Sequence, residues 1–390
     1  MRIVHTSDWH AGRVWYGQRR YDELRAVLDH LAEFVLNENV DLLLMSGDVF
    51  DNGMPSAAAE RLVFRALKRI GQAGIPSVVI AGNHDSPKRL EAWGLLADLI
   101  GCHVVPHPAP PDRGGLREIV TPCGETALVA ALPFAQVRHI VAAVQLVEGE
   151  QMAYETYSGW MQSLFEVYAE RFRADTVNLV MAHAFVENAV LAHSERRVHV
   201  GEQWAIKPQS LPSNAQYVAL GHIHKPQQLE NAPQARYAGS PLQLDFGEVG
   251  EEKSFVVVDV EPGVPARTTL VPYEGGKPLI DLRATFAELE ADAEKLRDAG
   301  WLRVTVPLEV PEPDLNSRVR RLIPNALSVR VELPELEADE DPDRPPANAS
   351  ATELFTAFYR KKHQRPPEDA LVDLFAEIYR ECGGGAGGAD

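Results

Sequence analysis

Five predicted strands in this 390-residue chain each lead into aspartate, asparagine or histidine, and this recurrence limits the folds that the chain can adopt. The clearest example is the apolar run Val78–Ile80, which leads through a glycine into Asn83, His84 and Asp85. An apolar run followed by glycine is typical of a strand that ends in a turn. A turn explains one polar cluster, but it does not explain five clusters in succession. For Asp85 we infer no role beyond the turn.

The other four strand ends repeat the pattern. The predicted strands are Arg2–Ser7, Asp41–Met45, Val177–Met181 and Tyr217–Leu220. Residues two apart on an extended segment point to the same side, so the Asp-x-His and His-x-His spacings each aim two side chains together. A buried core histidine explains one such position, but the repetition favours a metal site. The candidate ligands are Asp8, His10, Asp48, Asn83, His183, His222 and His224.

Helices separate the first three strands. Apolar residues recur on one stripe over Tyr21–Asn37, and a second helix is expected over 56–73. The order β-α-β-α-β predicts an α/β fold in which helices cover a mostly parallel sheet. Open sheets of this kind bind ligands at the carboxyl ends of their strands, where the polar clusters lie. A further helix is expected over Met152–Arg173.

The remainder of the chain divides at changes in composition. A small α/β cap is expected to contain a helix over Leu289–Ala299, and an acidic, proline-rich linker follows it. Ser350-x-x-Glu353 fits a capping box that opens the first of two amphipathic helices. The predicted units are a body (1–275), a cap (278–335), the linker (336–350), the helix pair (351–382) and a disordered tail (383–390).

The charge balance argues against a protein that coats nucleic acid through bulk charge. The chain has 56 acidic and 38 basic residues, and non-specific DNA binding depends on contacts of Lys and Arg with phosphate. A local basic groove or a metal site that meets phosphate is still allowed. Cys102, Cys123 and Cys382 are too far apart in sequence to suggest a zinc cage or a disulfide framework. No segment approaches the roughly 18 apolar residues of a membrane span, so we expect a cytoplasmic protein without a membrane partner.

The candidate ligands indicate the chemistry of the site. They offer oxygen and imidazole nitrogen but no thiolate, which suits Mn²⁺, Fe²⁺ or Co²⁺ better than structural Zn²⁺. Seven ligands fit two ions about 3.5 Å apart that share one carboxylate. Two divalent cations and two aspartates leave a net charge of +2, which attracts phosphate. The sequence therefore predicts phosphoester hydrolysis.

The five motifs, in this order, resemble those of the calcineurin-like metallophosphoesterases. The resemblance implies an α/β fold with that family's core of β-sheets sandwiched by helices, followed here by the small α/β cap and the C-terminal helix pair. The matching motifs are Asp8-x-His10, Gly47-Asp48-x-x-Asp51, Gly82-Asn83-His84-Asp85, Ala182-His183 and Gly221-His222-x-His224. Within that superfamily, the chain resembles the SbcD nuclease subunits of bacterial SbcC–SbcD complexes. Thr6–His10, Val49-Phe50 within the second motif and Gly239-Ser240-Pro241 support this closer resemblance, which covers essentially the whole chain.

The resemblance implies two Mn²⁺ ions, with Fe²⁺ or Co²⁺ as alternatives, and Asp48 as the bridging ligand. It implies that His84 binds neither ion, faces the scissile phosphate and helps to protonate the leaving oxygen, and that the Asp51 carboxylate orients His84. One ion would be held by Asp8, His10, Asp48 and His224, and the other by Asp48, Asn83, His183 and His222.

The resemblance also implies a DNA nuclease subunit for double-strand-break repair, with exonuclease activity on duplex ends and endonuclease activity on single strands and hairpins. The cap would read DNA shape, the helix pair over 351–382 would bind an SbcC-type coiled-coil ATPase, and the chain would form a homodimer. On DNA it would be associated with the nucleoid. Lys277 is followed by Pro278 rather than a hydroxyl residue, so no nucleotide cofactor is expected in this chain.

Two alternatives stay open. A small-molecule nucleotide phosphodiesterase would use the same centre, but it would leave the residues from about 278 onward unexplained. A non-catalytic scaffold with a vestigial site is disfavoured because the ligand set and His84 are complete. Asn52 stands where phosphoprotein phosphatases carry an arginine that clamps a terminal phosphate, which favours a diester substrate.

Overall fold

The computed structural model describes residues 1–134, 157–192, 194–195, 205–334 and 349–381. The predicted start of the helix at Met152, most of the predicted linker, Cys382 and the predicted tail lie outside these residues. The chain forms two compact units, one of Met1–Val306 with Glu312–Val331 and the other of Pro307–Pro311 with Glu332–Asp390. No helix in the described part is both long and apolar enough to cross a membrane.

The first sheet carries the three N-terminal strand ends. The pairs that join its four strands from Arg2–Thr6 to Cys102–Val105 are parallel, whereas Ser254–Asp259 runs antiparallel to both of its neighbours. Parallel strands covered on both faces require continuous apolar runs, as in Leu42–Met45. In sheet order the strands are Arg267–Pro272, Ser254–Asp259, Arg2–Thr6, Leu42–Met45, Ser77–Ile80 and Cys102–Val105.

Three helices accompany the first sheet: Tyr21–Asn37, Ala57–Gln72 and Pro87–Ala97. The first has the predicted bounds. The second begins after Ser56, whose side chain accepts a hydrogen bond from the Ala59 N–H and so satisfies one free donor of the first turn. The buried stripes of the first two helices pack into the same core as alternate residues of the sheet.

The second sheet carries the other two strand ends. Its central strand Val177–His183 pairs in parallel with both of its neighbours. The described helix Tyr157–Ala169 packs on this sheet and ends four residues before the predicted Arg173. In sheet order the strands are Gln227–Leu229, Ala232–Tyr237, Tyr217–Gly221, Val177–His183, Thr126–Leu132 and Leu116–Val120.

The two sheets face each other across an apolar core. Leu44 and Val78 from the first sheet share one buried cluster with Val129, Met181 and Ala219 from the second. This core holds the two sets of strand ends together, with helices on the outer faces. The predicted class of β-sheets sandwiched by helices is confirmed.

A third sheet follows the first two, with the strands Leu279–Arg283, Trp301–Pro307 and Ala326–Glu332. The single helix predicted over Leu289–Ala299 is instead two short helices, Phe286–Ala291 and Ala293–Asp298. The first begins at a capping box on Thr285 and Glu288 that the sequence analysis missed. Leu315–Leu322 forms the other helix of this region.

This three-stranded region meets the body through a buried ion pair. Arg20 and Glu23 pair at 2.6 Å with both side chains nearly inaccessible. Glu23 also accepts hydrogen bonds from the indole N–H of Trp301 at 2.8 Å and from the Lys277 backbone N–H at 2.8 Å. These contacts fix the edge of the third sheet to the first helix of the body.

The C-terminal helices are Ala351–His363 and Asp369–Glu381. The predicted capping box on Ser350 and Glu353 is confirmed, with both reciprocal hydrogen bonds present. The helices pack against each other through stacked rings of Phe355 and Phe375, whose centroids are 4.3 Å apart. Short strand pairs elsewhere are Val14–Trp15 with Gln18–Arg19 and Phe185–Val186 with Ala205–Ile206.

Candidate metal centre

The strand ends of both sheets converge on one buried cluster of polar side chains. The first sheet contributes the oxygen-bearing residues and His10, and the second contributes the remaining imidazoles. Asn83 is half-buried, and the other six predicted ligands are almost inaccessible to solvent. The structure therefore brings together all the predicted ligands: Asp8, His10, Asp48, Asn83, His183, His222 and His224.

One half of the cluster is formed by Asp8, His10 and His224, whose ligand atoms lie within 4.8 Å of one another. The Nε2 atoms of His10 and His224 face each other at 3.1 Å. His10 Nε2 is also 3.6 Å from the Asp48 Oδ2 atom. Two imidazole nitrogens and carboxylates in such proximity form a donor set that suits a divalent cation.

The other half is formed around Asn83. Its Oδ1 atom lies 3.0 Å from His183 Nε2 and 2.8 Å from His222 Nδ1. His183 Nε2 lies 3.5 Å from the Asp48 Oδ2 atom. Asp48 Oδ2 is thus about equally distant from His10 in one half and His183 in the other, so a single carboxylate oxygen faces both.

Glycines leave room for these side chains. A Cβ atom on Gly82 would lie 2.1 Å from Asp48 Oδ1, and one on Gly47 would lie 2.3 Å from His183 Nδ1. Real Cβ contacts are never so short, so any side chain at either position would push a ligand out of place. The glycines that precede Asp48 and Asn83 in the sequence are therefore part of the centre.

Several ligand positions have a backbone conformation that non-glycine residues rarely adopt. Asp8, His10, Asp48 and His222 have φ values of 52°, 44°, 51° and 102°. Such conformations cost about 1–3 kcal/mol each and persist where the surrounding structure enforces them, often at functional sites. They turn the chain sharply after each strand and direct the side chains into the cluster.

Burial and close charges shift the pKa values of these groups. Burial raises the pKa of Asp8. Burial acts in the same direction on Asp48, but the adjacent His183 and His10 outweigh it and hold the Asp48 pKa well below its usual range. Burial would lower the pKa of His183, but the Asp48 charge and hydrogen bond raise it to about 9. The buried carboxylates therefore attract positive charge, which cations supply when bound.

His84 lies beside the cluster with a fixed ring. Its Nδ1 atom is 2.7 Å from the Asp51 backbone carbonyl, which can only accept, so Nδ1 carries a proton. Its backbone N–H donates to Asp48 Oδ1 at 2.8 Å, and its ring packs edge-on against His10 at 4.6 Å between centroids. Ligand atoms of His10, Asp48 and His84 also lie within 4.8 Å of one another, so distance alone admits His84 as a ligand.

Asp51 contacts His84 through its main chain, which the sequence analysis did not predict. Its backbone carbonyl accepts the His84 Nδ1 proton, and the orienting role of the Asp51 carboxylate stays a prediction. The carboxylate Oδ1 lies 3.4 Å from His10 Nδ1 and 3.6 Å from an Arg13 nitrogen. A sequence motif does not show whether a residue makes a contact through its side chain or through its backbone.

Asp85 has a structural role that the sequence analysis missed. Its buried carboxylate accepts hydrogen bonds from the backbone N–H groups of Val49 at 3.1 Å, Phe50 at 2.9 Å and Gly82 at 2.8 Å. It therefore ties the loop that carries Asp48 to the loop that carries Asn83. Burial and the Asp48 charge raise its pKa to about 7. A carboxylate at a turn after a buried strand was the available signal.

Comparisons with known proteins agree with this geometry. Residues 1–226 match the family model for calcineurin-like phosphoesterases, and residues 276–363 match the model described as the type 5 capsule protein repressor C-terminal domain. The chain is 33% identical over 386 residues to the SbcD component of the SbcCD nuclease of Bacillus subtilis, covering 97% of each chain. The corresponding protein of Escherichia coli K12 is 30% identical over 334 residues, covering 83% of this chain and 82% of its own.

A third relative is the SbcD component of the SbcCD nuclease of Rhodobacter capsulatus, 31% identical over 338 residues, which covers 81% of this chain and 83% of its own. The similarity thus extends well beyond the five motifs, through both sheets and into the third. The chain therefore belongs to the SbcD family of calcineurin-like phosphoesterases, and it is a metal-dependent phosphodiesterase of the nuclease class.

Proposed function

We propose that this chain is the Mn²⁺-dependent DNA nuclease subunit of a double-strand-break repair complex with an SbcC-type ATPase. Its substrates would be duplex ends, cleaved exonucleolytically, and single strands and hairpins, cleaved endonucleolytically. One observation carries the proposal: ligands from five strand ends meet in one cluster, in which a single Asp48 oxygen lies 3.6 Å from His10 and 3.5 Å from His183.

The ligand assignment follows the two halves, with Asp48 shared between them. The imidazole nitrogens that face one another and the absence of sulfur in this donor set fit Mn²⁺, Fe²⁺ or Co²⁺. Bound cations would neutralise phosphate charge and activate water for attack. One position would take Asp8, His10, Asp48 and His224, and the other Asp48, Asn83, His183 and His222.

His84 is assigned as a catalytic group rather than a ligand. The Asp51 carbonyl holds the Nδ1 proton, so Nε2 is the ring nitrogen that would face a phosphate. His84 would stabilise the charge that develops on the phosphate and pass a proton to the leaving oxygen. Its backbone bond to Asp48 keeps the ring next to the centre without requiring coordination.

A local site explains how an acidic chain acts on DNA. The formal charge of −18 disfavours bulk attraction, so recognition depends on the cations and on the shape of the surrounding regions. We assign the nuclease body to 1–275 and a DNA-reading cap to 278–335. The assignment is supported by similarity to relatives that are named as components of a nuclease.

The C-terminal helix pair, within 351–382, is proposed to bind the ATPase partner after the linker over 336–350. Its helices expose a set of apolar side chains of the kind that dock in a partner's groove. Phe358 is 62% exposed and Ile378 is 50% exposed. The name SbcCD, which the relatives carry, supports the proposal of an SbcC-type protein as the partner. The exposed set is Leu354, Phe358, Leu371, Leu374, Ile378 and Tyr379.

A homodimer is proposed through the helix Pro87–Ala97 and the turn that follows it. Leu95, Leu96 and Leu99 are 78%, 64% and 82% exposed. Three exposed leucines within five residues form an apolar patch that a second copy would cover.

One assay tests the activity. The purified chain with Mn²⁺ is given a labelled DNA hairpin, a cyclic dinucleotide and a phosphopeptide in parallel. We expect cleavage of the hairpin, and Mg²⁺ alone serves as the metal control. Preferential turnover of the cyclic dinucleotide would support the small-molecule phosphodiesterase instead.

A binding assay tests the partner. Phe358→Asp should abolish co-purification with an SbcC-type ATPase and leave single-strand cleavage intact. Val120→Asp is the matched control, because Val120 is 71% exposed on the strand Leu116–Val120 of the second sheet. A complex that survives Phe358→Asp would place the partner surface elsewhere.

A further inference from the structure

Glu248 is a fully buried carboxylate that the mechanism above does not use. It lies at the end of the single turn Phe246–Glu248, far in sequence from any of the five motifs. Its Oε2 atom is 2.7 Å from the Lys253 ammonium and accepts the Leu244 backbone N–H at 3.0 Å. The neighbouring ammonium and the N–H donor keep this carboxylate ionised.

Glu248 reaches the metal centre through a serine. Ser194 Oγ donates to Glu248 Oε1, because an ionised carboxylate can only accept. The same Ser194 oxygen lies 2.5 Å from His224 Nδ1 and must therefore accept the proton of that nitrogen. Glu248 Oε1 is itself 3.8 Å from His224 Nδ1. The relay fixes the tautomer of His224, with Nδ1 protonated and Nε2 directed towards His10.

Lys253 holds the main chain of the same residue. Its ammonium donates to the His224 carbonyl at 2.9 Å, and the Ser240 N–H donates to that carbonyl at 3.0 Å. The Glu248–Lys253 pair thus contacts the ring of His224 through Ser194 and its backbone directly. The pair therefore acts on His224 at two atoms, the ring Nδ1 through Ser194 and the backbone carbonyl directly.

A buried ion pair at this position needs a reason. Removing two charges from water is unfavourable, and well-packed apolar residues would often be as stable. Partners that hydrogen-bond the outer nitrogen of a ligating histidine orient the ring and raise its basicity. The arrangement here has this geometry, with one hydroxyl interposed.

We propose that Glu248 and Lys253 are positioning residues for His224, and that they set the Mn²⁺ affinity of the cation position formed by Asp8, His10, Asp48 and His224. The inference rests on the proposed function, since it concerns one of the two proposed cation positions. Glu248 and Lys253 lie outside the five motifs, and they would change the Mn²⁺ affinity of one cation position without changing that of the other.

The test measures Mn²⁺ binding to the full chain by isothermal titration calorimetry, using Glu248→Gln and Ser194→Ala. We expect two Mn²⁺ for the unmodified chain, and for each variant one position weakened by about 10–100-fold with the other unchanged. Glu251→Gln is the matched control, because Glu251 also pairs with Lys253, at 3.0 Å. It should bind both ions as the unmodified chain does.

A melting curve of each metal-free variant accompanies the titration. If Glu248→Gln unfolds, the titration of Ser194→Ala tests the inference instead. Ser194 is half-buried, and Ser194→Ala removes the relay while it leaves the buried ion pair in place. Two ions bound with unchanged affinity by Ser194→Ala would overturn the inference while leaving the proposed function intact. Fewer than two ions on the unmodified chain would instead overturn the proposed function, and the inference with it.

Discussion

The two halves of the metal centre hold their histidines in different ways. His183 Nδ1 lies 2.8 Å from the Ser46 backbone carbonyl, so the strand Leu42–Met45 and the turn after it orient that ring. His224 Nδ1 instead meets Ser194 and, behind it, Glu248, which are 30 and 24 residues away in sequence. One half is oriented by main chain that the sheet itself supplies. The other depends on side chains that can be changed without altering the sheet.

The difference shows which parts of the centre follow from the fold. A carbonyl at a strand end is present whatever the side chain, so the hydrogen bond that orients His183 does not depend on the side chain of residue 46. The half with His10 and His224 requires a serine, a glutamate and a lysine at suitable positions. A substitution of the shared ligand therefore affects both halves, whereas a substitution around His224 affects one.

The largest effect is expected for Asp48→Ala, which affects both halves at once. Since Asp48 Oδ2 faces His10 at 3.6 Å and His183 at 3.5 Å, its removal should prevent both Mn²⁺ ions from binding and reduce nuclease activity below detection. Calorimetric titration with Mn²⁺ and cleavage of linear duplex DNA would check this. Asp22→Ala, which removes an exposed carboxylate on the first helix, is the control. Two ions retained by Asp48→Ala would refute a shared ligand.

His84→Ala should leave both halves occupied and still stop the reaction. Loss of a general acid costs about 10²–10⁴-fold, so turnover on linear duplex DNA should fall by at least about 10² while two Mn²⁺ still bind. His103→Ala, a half-buried histidine on the strand Cys102–Val105, should have no effect. Unchanged turnover would remove His84 from the mechanism, and loss of one ion would make it a ligand.

A change of pH should act on the half that contains His183. Because its pKa in the metal-free protein is about 9, the ring carries an additional proton at pH 7 that must leave before Nε2 can coordinate. Affinity at that position should therefore rise by about tenfold per pH unit from pH 7 towards pH 9 and then level off. Titrations at pH 7 and 8 would measure it. His183→Asn should remove this slope, whereas a slope that persists there would assign the displaced proton to another group.

The smallest effect is expected for Asp85→Asn, which loosens the join between two ligand loops of the first sheet. An amide offers one oxygen for three backbone N–H donors, and a buried donor left unsatisfied costs about 1–3 kcal/mol. Thermal unfolding of the metal-free chain should show this loss. Asp175→Asn, at a largely exposed carboxylate, is the control. An unchanged melting temperature would mean that the loops are held by other contacts.

Much of the fold could be predicted because it depends on local patterns. The helix Tyr21–Asn37 has the predicted bounds, since its apolar stripe and the end of its periodicity are visible in the residues. The strand Cys102–Val105 was missed, because two of its four residues are polar or small and its identity as a strand depends on pairing with Ser77–Ile80. The short helices that replace the predicted Leu289–Ala299 depend on the capping box at Thr285.

The centre could be predicted as far as spacing and strand order reach. The order of strands brings Asp8, His10, His222 and His224 to one edge. The two-residue spacing did not give their directions, because Asp8, His10 and His222 adopt a left-handed rather than an extended backbone. His222 and His224 accordingly lie in different halves of the cluster. The contacts of Ser194 and Glu248 could not be found in this way, because they join segments separated by 54 residues through tertiary packing alone. The backbone contact of Asp51 with His84 and the hydrogen bonds of Asp85 to two ligand loops could not be predicted for the same reason.

The most direct test of the two-position centre is anomalous diffraction at the manganese edge from crystals of the unmodified chain grown with Mn²⁺. We expect two peaks about 3.5–4 Å apart, with an Asp48 oxygen within bonding distance of both and His84 bound to neither. A single peak, or two peaks that share no Asp48 oxygen, would contradict a centre in which one carboxylate serves both halves.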